Sequence, residues 1–128
     1  MALIIDLKPH EKIIIGESLI TNDKNKSRLH IEGNAPIMRE KDIMLEKHAN
    51  TPCKKIYLAV QLMYLSPDPK ELHSTYFELV KQVQDAAPST APLIAEIGAY
   101  ILADRYYKAL KEAKKLIEYE KELMEGVK

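Results

Sequence analysis

Two groups of basic residues in the first third of the chain are suited to binding a polyanion. Lys24, Lys26 and Arg28 surround a polar turn, and Arg39 and Lys41 follow a later extended segment. If the last strand lies beside an exposed sheet edge, these five cations can contact the phosphates of a nucleic-acid backbone. The competing interpretation is that charges at a sheet edge merely prevent strand-to-strand aggregation, and physical reasoning alone favours it.

A further basic group shares part of one face of the last predicted helix: Arg105, Lys108, Lys111 and Lys115. Acidic residues are interleaved with it, so the sequence favours an ordinary solvated surface. The seven tyrosines of the chain also fall in predicted helices. We expect most of them to be core or interface anchors, because the aromatic side chains on which bases stack are usually displayed on sheets.

Residues that commonly form catalytic or metal sites are scattered. The four histidines, His10, His30, His48 and His73, lack metal-ligand spacing, and Cys53 has no second cysteine near it. Cys53 falls in the first turn of a predicted helix, where the helix dipole lowers a thiol pKa. No base is adjacent in sequence, so a structural role is favoured. We expect no catalytic residue, no metal, no cofactor and no enzymatic activity.

The composition is that of one compact, neutral domain. In 128 residues, 19 basic side chains balance 19 acidic ones, so the chain lacks the overall positive charge typical of many nucleic-acid-binding proteins. A single cysteine excludes an internal disulfide and fits a reducing compartment. Neither a signal peptide nor a membrane span is evident. We expect a soluble, cytoplasmic protein.

The first part of the chain predicts β-structure. Short strands are expected at Leu3–Leu7, Lys12–Ile20, Arg28–Glu32 and Ala35–Met38, with a bulge or bend at Gly16. Four strands joined by such short turns predict an antiparallel meander. So few strands must pack on helices or on a second copy of the chain.

The rest of the chain predicts helices. A short amphipathic helix is expected over Arg39–His48, followed by a central core helix over Asn50–Leu65 that is apolar nearly all round. Thr51 is placed to cap the central helix, and Pro52 occupies its first position.

Three further helices are expected. Ser66 or Asp68 is predicted to cap the first, Ser89 or Thr90 is predicted to cap the second, and the third is predicted to start at Asp104. Their predicted core residues are, in turn, Leu72, Tyr76, Leu79, Val80 and Val83; Leu93, Ile94, Ile97, Ile101 and Leu102; and Tyr107, Leu110, Ala113, Ile117 and Leu123. The predicted fold class is α+β. A β-rich subdomain covers residues 1–48 and a helical subdomain of about four helices covers residues 49–128.

Several blocks of sequence resemble the flagellum biosynthesis repressor family FlbT. They are LKPHEKIIIG (7–16), RLHIEGNAPIMREKDIM (28–44), NTPCKKIY (50–57), QLMYL (61–65) and YYKALKEAKKLIEYE (106–120). The resemblance implies a bacterial post-transcriptional regulator that associates with the 5′ untranslated region of flagellin mRNA and promotes its decay. In some bacteria the family instead supports flagellin production.

The first 45 residues are also similar to the carbon storage regulator family of small RNA-binding dimers. The similarity is carried by Glu11–Gly16, Asn34-Ala35-Pro36 and Arg39-Glu40. It implies a homodimer through the N-terminal strands, with RNA bound by the first strand and by the arginine after the last strand. That role carries over to Arg39 and to the surface Leu3–Lys8.

Two functions therefore remain open. The first is an RNA-binding repressor that contacts the flagellin mRNA leader through Lys8, Lys24, Lys26, Arg28, Arg39 and Lys41. The second is a protein-interaction module that binds flagellin or another flagellar regulator through the helical half. The many helix-borne tyrosines favour the second, because tyrosine is enriched in binding hot spots.

Overall fold

The structure is a computed structural model that describes residues 2–126. Contacts divide the chain after Ile43 into a β-rich unit and a helical unit. The strands are β1 (Ala2–Leu7), β2 (Lys12–Ile15), β3 (Ser18–Thr21), β4 (Ser27–Glu32) and β5 (Ile37–Arg39). The helices are α1 (Pro52–Leu65), α2 (His73–Ala86), α3 (Ala91–Leu102) and α4 (Tyr106–Met124). The predicted α+β class, with antiparallel strands followed by four helices, is confirmed. Among the described residues, no helix is long and apolar enough to cross a bilayer.

The β-rich unit contains two small antiparallel sheets around one apolar core. β1 pairs with β4, while β2 lies between β3 and β5. The pairing differs from a simple meander, because β1 and β2 each pair with a strand much later in the chain. The core consists of Ile5, Leu7 and Ile13, surrounded by the partly buried Ile15, Leu29, Ile31 and Ile37.

The segment predicted as one strand over Lys12–Ile20 is a hairpin, so the unit has five strands and not four. Ile15 of β2 lies opposite Ser18 of β3, and only Gly16 and Glu17 lie between them. Gly16 has φ 63. Glycine adopts this conformation without steric cost, and the first loop position of a type II′ hairpin requires it. Gly16 therefore reverses the chain rather than bending it.

The predicted amphipathic helix over Arg39–His48 is wrong. This segment instead contains two single turns of 3₁₀ helix, Glu40–Asp42 and Glu46–His48, with extended backbone between them. The amide of Gln61 holds the backbone of Met44. Its Oε1 accepts from the Met44 N–H at 2.7 Å, and its Nε2 donates to the Met44 carbonyl at 3.1 Å. These long-range bonds take the place of helical ones.

The start of α1 is confirmed as predicted from its capping residues. Thr51 Oγ1 accepts a hydrogen bond from the Lys54 N–H at 3.2 Å, and Pro52 is the first helical residue. Ile56 and Val60 are completely buried. α1 packs against both α2 and α4, and α4 in turn packs against α3, so the predicted central helix shares the core of the helical unit with α4.

In the last two helices, some of the residues predicted to lie in the core are exposed. Tyr107 is 48% exposed, Leu123 is 43% exposed, and Leu102 at the end of α3 is 73% exposed. Leu116 is fully buried although the sequence did not predict it. It lies three residues after Ala113, on the same helix face, and the buried stripe of α4 is Ala109, Leu110, Ala113 and Leu116.

Candidate nucleic-acid interface

The turn between β3 and β4 is built around the side chain of Asn22. Its Nδ2 donates to the backbone carbonyl oxygens of Lys8 at 2.8 Å and Asn25 at 3.0 Å, and its Oδ1 accepts from Ser27 Oγ at 2.9 Å. The Asn22 N–H donates to the Glu11 carbonyl at 2.9 Å. These bonds hold the turn against the end of β1. Sequence reasoning did not identify Asn22, because its partners lie up to 15 positions away.

An open groove of about 490 Å³ lies beside this turn. Its lining residues are Asp6, Leu7, Lys8, Lys26, Ser27 and Arg28. They are neighbours because β1 and β4 are antiparallel, with Asp6 opposite Arg28 and Leu7 opposite Ser27. Three of the six predicted RNA-contact residues, Lys8, Lys26 and Arg28, therefore share one groove.

Arg39 reaches the same place from β5. Its Nη2 donates to the backbone carbonyl oxygen of Asp6 at 2.7 Å and lies 3.4 Å from Glu11 Oε2. The backbone of Arg39 lies opposite Ile13 of β2. The Arg39 side chain thus joins the two small sheets and places a fourth predicted cation beside the groove.

The remaining two predicted residues do not line the groove. Lys24 lies within the turn that Asn22 organises, and Lys41 lies in the 3₁₀ helix Glu40–Asp42; both are exposed. The structure therefore places three of the six predicted cations in the groove and a fourth, Arg39, against the backbone of Asp6, while Lys24 and Lys41 do not line the groove.

Two carboxylates are part of this basic site. Asp6 Oδ1 lies 2.8 Å from Arg28 Nε, and this hydrogen bond and charge hold the pKa of Asp6 below its usual value. The backbone N–H of Lys8 lowers the pKa of Glu11, and the charge of Arg39 lowers it further. Both carboxylates are therefore ionised at neutral pH. A phosphate that binds here must compete with them for the two arginines.

That competition is feasible at Arg28, because its ion pair with Asp6 is solvent-exposed, whereas the Glu11 partner of Arg39 is only 16% exposed. The side chains of Arg28 and Asp6 are 65% and 71% exposed. Ion pairs of this kind contribute little free energy, since water screens them. A nucleic-acid backbone gains in addition from the release of its condensed counterions. Breaking the exposed contact between Asp6 and Arg28 therefore costs little free energy.

Cys53 has a structural environment in the first turn of α1. Its backbone N–H donates to Glu120 Oε2 at 3.1 Å, while Thr51 Oγ1 donates to Glu120 Oε1. Burial, and secondarily the charge of Glu120, raises the pKa of Cys53 to about 12. The thiol is therefore protonated at neutral pH, and the structural interpretation of Cys53 is supported. Sequence reasoning missed the role of Glu120 as a cap for α1.

Among the described residues, no group of three histidine, cysteine or acidic side chains is placed to hold a metal ion. His73 contacts Tyr106 instead, with its Nε2 3.1 Å from the Tyr106 hydroxyl. That hydroxyl donates to Asp104 Oδ1 at 3.3 Å. The three residues connect the start of α2 to the start of α4.

Comparison with known proteins shows which family the chain is part of. Residues 3–124 match the family described as Flagellar protein FlbT. The chain is 55% identical to the "Probable flagellum biosynthesis repressor protein FlbT 1" of Bradyrhizobium diazoefficiens, over 96% of this chain and 85% of that protein. It is 44% identical to a probable FlbT repressor of Rhodopseudomonas palustris, over 97% and 98% of the two chains.

A more distant relative is the "Flagellum biosynthesis repressor protein FlbT" of Caulobacter vibrioides, which is 33% identical over 95% of this chain and 89% of that protein. No solved structure matches the chain significantly. The family match covers nearly the whole sequence, as the motifs in the sequence indicate. The chain therefore belongs to the FlbT family of flagellar proteins.

Proposed function

We propose that this protein is a cytoplasmic, non-enzymatic repressor of flagellin synthesis that binds the 5′ untranslated region of flagellin mRNA and promotes its degradation. Relatives covering nearly the whole chain are named flagellum biosynthesis repressors, which supports the regulatory part of the proposal. The observation that carries the RNA-binding part is the convergence of Lys8, Lys26, Arg28 and Arg39 on one groove.

The charge balance of the groove favours an anionic ligand. Three cations and one carboxylate line the groove, and the ion pair between Arg39 and Glu11 adjoins it, on a chain whose total formal charge is zero. The local excess of positive charge is thus a property of this surface and not of the protein as a whole. A phosphate would replace Asp6 as the partner of Arg28, and Lys24 and Lys41 would extend the contact along the nucleic-acid backbone.

Charge reversal at the groove tests this proposal. Arg39→Glu should lower affinity for a flagellin leader RNA about tenfold or more, because it replaces an attraction to phosphate by a repulsion. Since Arg39 also joins two strands, Lys26→Glu at an exposed position gives the same test without disturbing the fold. Lys47→Glu, an exposed change of equal charge in the helical unit, is the matched control. Unchanged affinity in both groove variants would reject the site.

The β-rich unit also supports the proposal of a homodimer through the N-terminal strands. Its surface exposes Leu3, Ile4, Leu19 and Ile20, and every residue of β3 is exposed. Exposed apolar patches often mark protein interfaces, and covering these side chains with a second copy would stabilise a unit built from such small sheets. Leu19→Lys should then produce a monomer in sedimentation experiments. A dimer that persists in this variant would rule out β3 as the contact.

A second candidate function is capture of flagellin or another flagellar regulator by the helical unit. It is favoured by the exposed Phe77, Leu102 and Tyr107, because exposed apolar and aromatic side chains often mark protein interfaces. Binding of purified flagellin that persists at high salt would support this function. RNA affinity that depends on backbone contacts falls steeply under the same conditions.

A further inference from the structure

The basic and acidic residues of the α4 segment are unevenly distributed between its two halves. Between Asp104 and Lys115, five residues are basic and two are acidic, whereas between Leu116 and Gly126, four are acidic and one is basic. The basic half carries Arg105, Lys108, Lys111, Lys114 and Lys115, all of which are exposed. Acidic residues are interleaved with these cations, yet the half as a whole has three more basic than acidic residues.

The charge distribution does not arise from a gain in helix stability. A helix dipole acts within the first and last turns, so it disfavours Lys108 in the first turn of α4 and has little effect on the cations in the middle of the helix. The first turn of α4 contains no acidic residue, and Arg105 at its N-cap position provides no side-chain cap. The helix dipole therefore gives no reason for the five cations in this half of the segment.

The two acidic residues of the basic half already have partners. Glu112 Oε2 lies 2.8 Å from Lys115 Nζ. Asp104 Oδ1 accepts a hydrogen bond from the Tyr106 hydroxyl at 3.3 Å. Lys115 remains well exposed in its ion pair, with 66% of its side chain accessible. The outward surface of this half is therefore predominantly cationic.

Aromatic rings lie directly beside these cations. Tyr107 is half exposed. Lys111 Nζ lies over the Tyr107 ring, 5.0 Å from its centre, and the centres of the Tyr64 and Tyr107 rings are 5.6 Å apart. Lys108 Nζ lies 6.0 Å from the ring of Tyr100. Single-stranded RNA is commonly bound by this combination, in which rings stack on bases and cations contact phosphates.

A second copy of α4 is the main alternative partner, because antiparallel pairing would place basic halves against acidic halves. Such a contact would consist of exposed ion pairs, which are individually weak and do not offset the loss of translational freedom on association. A nucleic-acid strand gains free energy from counterion release when the same cations contact it. The observations therefore favour RNA.

We propose that the basic half of α4, together with Tyr107, is a second RNA-contact surface that binds a single-stranded segment of the target message. This inference rests on the proposed function and extends it, because it gives the helical unit its own RNA contact. The acidic half of α4 limits the surface to the segment between Arg105 and Lys115.

The first test compares two double variants of the full-length protein with flagellin leader RNA at several salt concentrations. Lys108→Gln/Lys111→Gln should reduce the slope of log affinity against log salt by about 1.4, since each phosphate contact with a single strand contributes about 0.7. Lys81→Gln/Lys121→Gln removes two exposed lysines elsewhere in the helical unit and should leave the slope unchanged.

The second test separates stacking from charge. Tyr107→Ala should lower affinity for the leader RNA about tenfold, whereas Tyr107→Phe keeps the ring and should bind like the wild type. Equal affinity of Tyr107→Ala and the wild type would remove Tyr107 from the surface.

The outcomes distinguish this inference from the proposed function. If the α4 lysine variant keeps the wild-type slope and affinity while Lys26→Glu loses affinity, the inference is overturned and the groove stands. If the wild-type protein binds no RNA, both fall. If the lysine variant keeps RNA affinity but no longer binds polyglutamate, the surface recognises an acidic protein, which also overturns the inference.

Discussion

The guanidinium of Arg39 donates to the backbone carbonyl oxygen of Asp6 at 2.7 Å, although 33 positions separate the two residues in sequence. The bond joins β5 to β1 and brings Arg39 beside the ion pair between Asp6 and Arg28. The candidate RNA surface is therefore assembled by tertiary structure from both ends of the β-rich unit. Its carboxylates are as much part of the site as its cations.

Asp6→Asn should increase affinity for flagellin leader RNA several-fold. The Asp6 carboxylate is ionised at neutral pH because Arg28 lowers its pKa, so it competes with phosphate for that arginine. The bond from Arg39 goes to the Asp6 backbone and should persist in the variant. Fluorescence anisotropy can measure the change, with Glu32→Gln at the far end of β4 as control. A decrease in affinity would contradict the competition that we infer.

Asn22→Ala should loosen the turn that carries Lys24 and Lys26. The variant loses bonds to the carbonyls of Lys8 and Asn25, so we expect the free energy of unfolding to fall by about 1–3 kcal/mol. RNA affinity should fall with it. Asn25→Ala is the matched control, because Asn25 contributes its backbone oxygen to this network. Equal urea denaturation curves for the two variants would show that Asn22 does not organise the turn.

Glu120→Gln should weaken the packing of α4 on the start of α1. The carboxylate accepts from both Thr51 and the Cys53 N–H, and an amide supplies only one acceptor oxygen. We expect a loss of about 1–2 kcal/mol in the free energy of unfolding, measured by thermal or urea denaturation. Glu118→Gln, at an exposed position of the same helix, should change it by less than about 0.5 kcal/mol. Similar losses in both variants would contradict the capping role.

Cys53 should contribute to the loss of stability at alkaline pH. The folded-state pKa is about 12, against an ordinary value of 9.0. As pH rises above 9.0, the unfolded chain therefore releases the thiol proton first, and stability falls until the folded-state pKa is reached. The free energy of unfolding of Cys53→Ala should decline less over this range. Parallel declines in the two proteins would show that the thiol ionises equally in both states.

Local signals in the sequence predicted the start of α1 well. Thr51 and Pro52 act within one helical turn, so their roles depend on neighbouring residues alone. The hairpin at Gly16 was missed for a related reason. Apolar β-branched residues continue towards Gly16, and Gly-Glu is a weaker turn signal than Asn-Gly, so the pattern resembled one continuous strand.

Roles that depend on distant contacts could not be predicted from the sequence. Glu120 caps a helix whose capping residue lies 69 positions before it, and Asn22 binds the end of a strand 14 positions earlier. Conversely, the basic residues of the groove could be identified as candidates, because charge is visible in the sequence. Which of them share a groove depends on strand pairing, which brings Lys8, Lys26 and Arg28 together and leaves Lys24 and Lys41 outside.

The most direct test of the account is a titration of the purified protein with flagellin leader RNA, with a scrambled RNA as competitor, at two salt concentrations. We predict that the protein alone binds the leader in preference to the scrambled RNA, and that affinity falls steeply as salt increases. Absence of binding, or equal binding of the scrambled RNA, would contradict direct recognition of the message and would mean that any specific contact with RNA requires a partner protein.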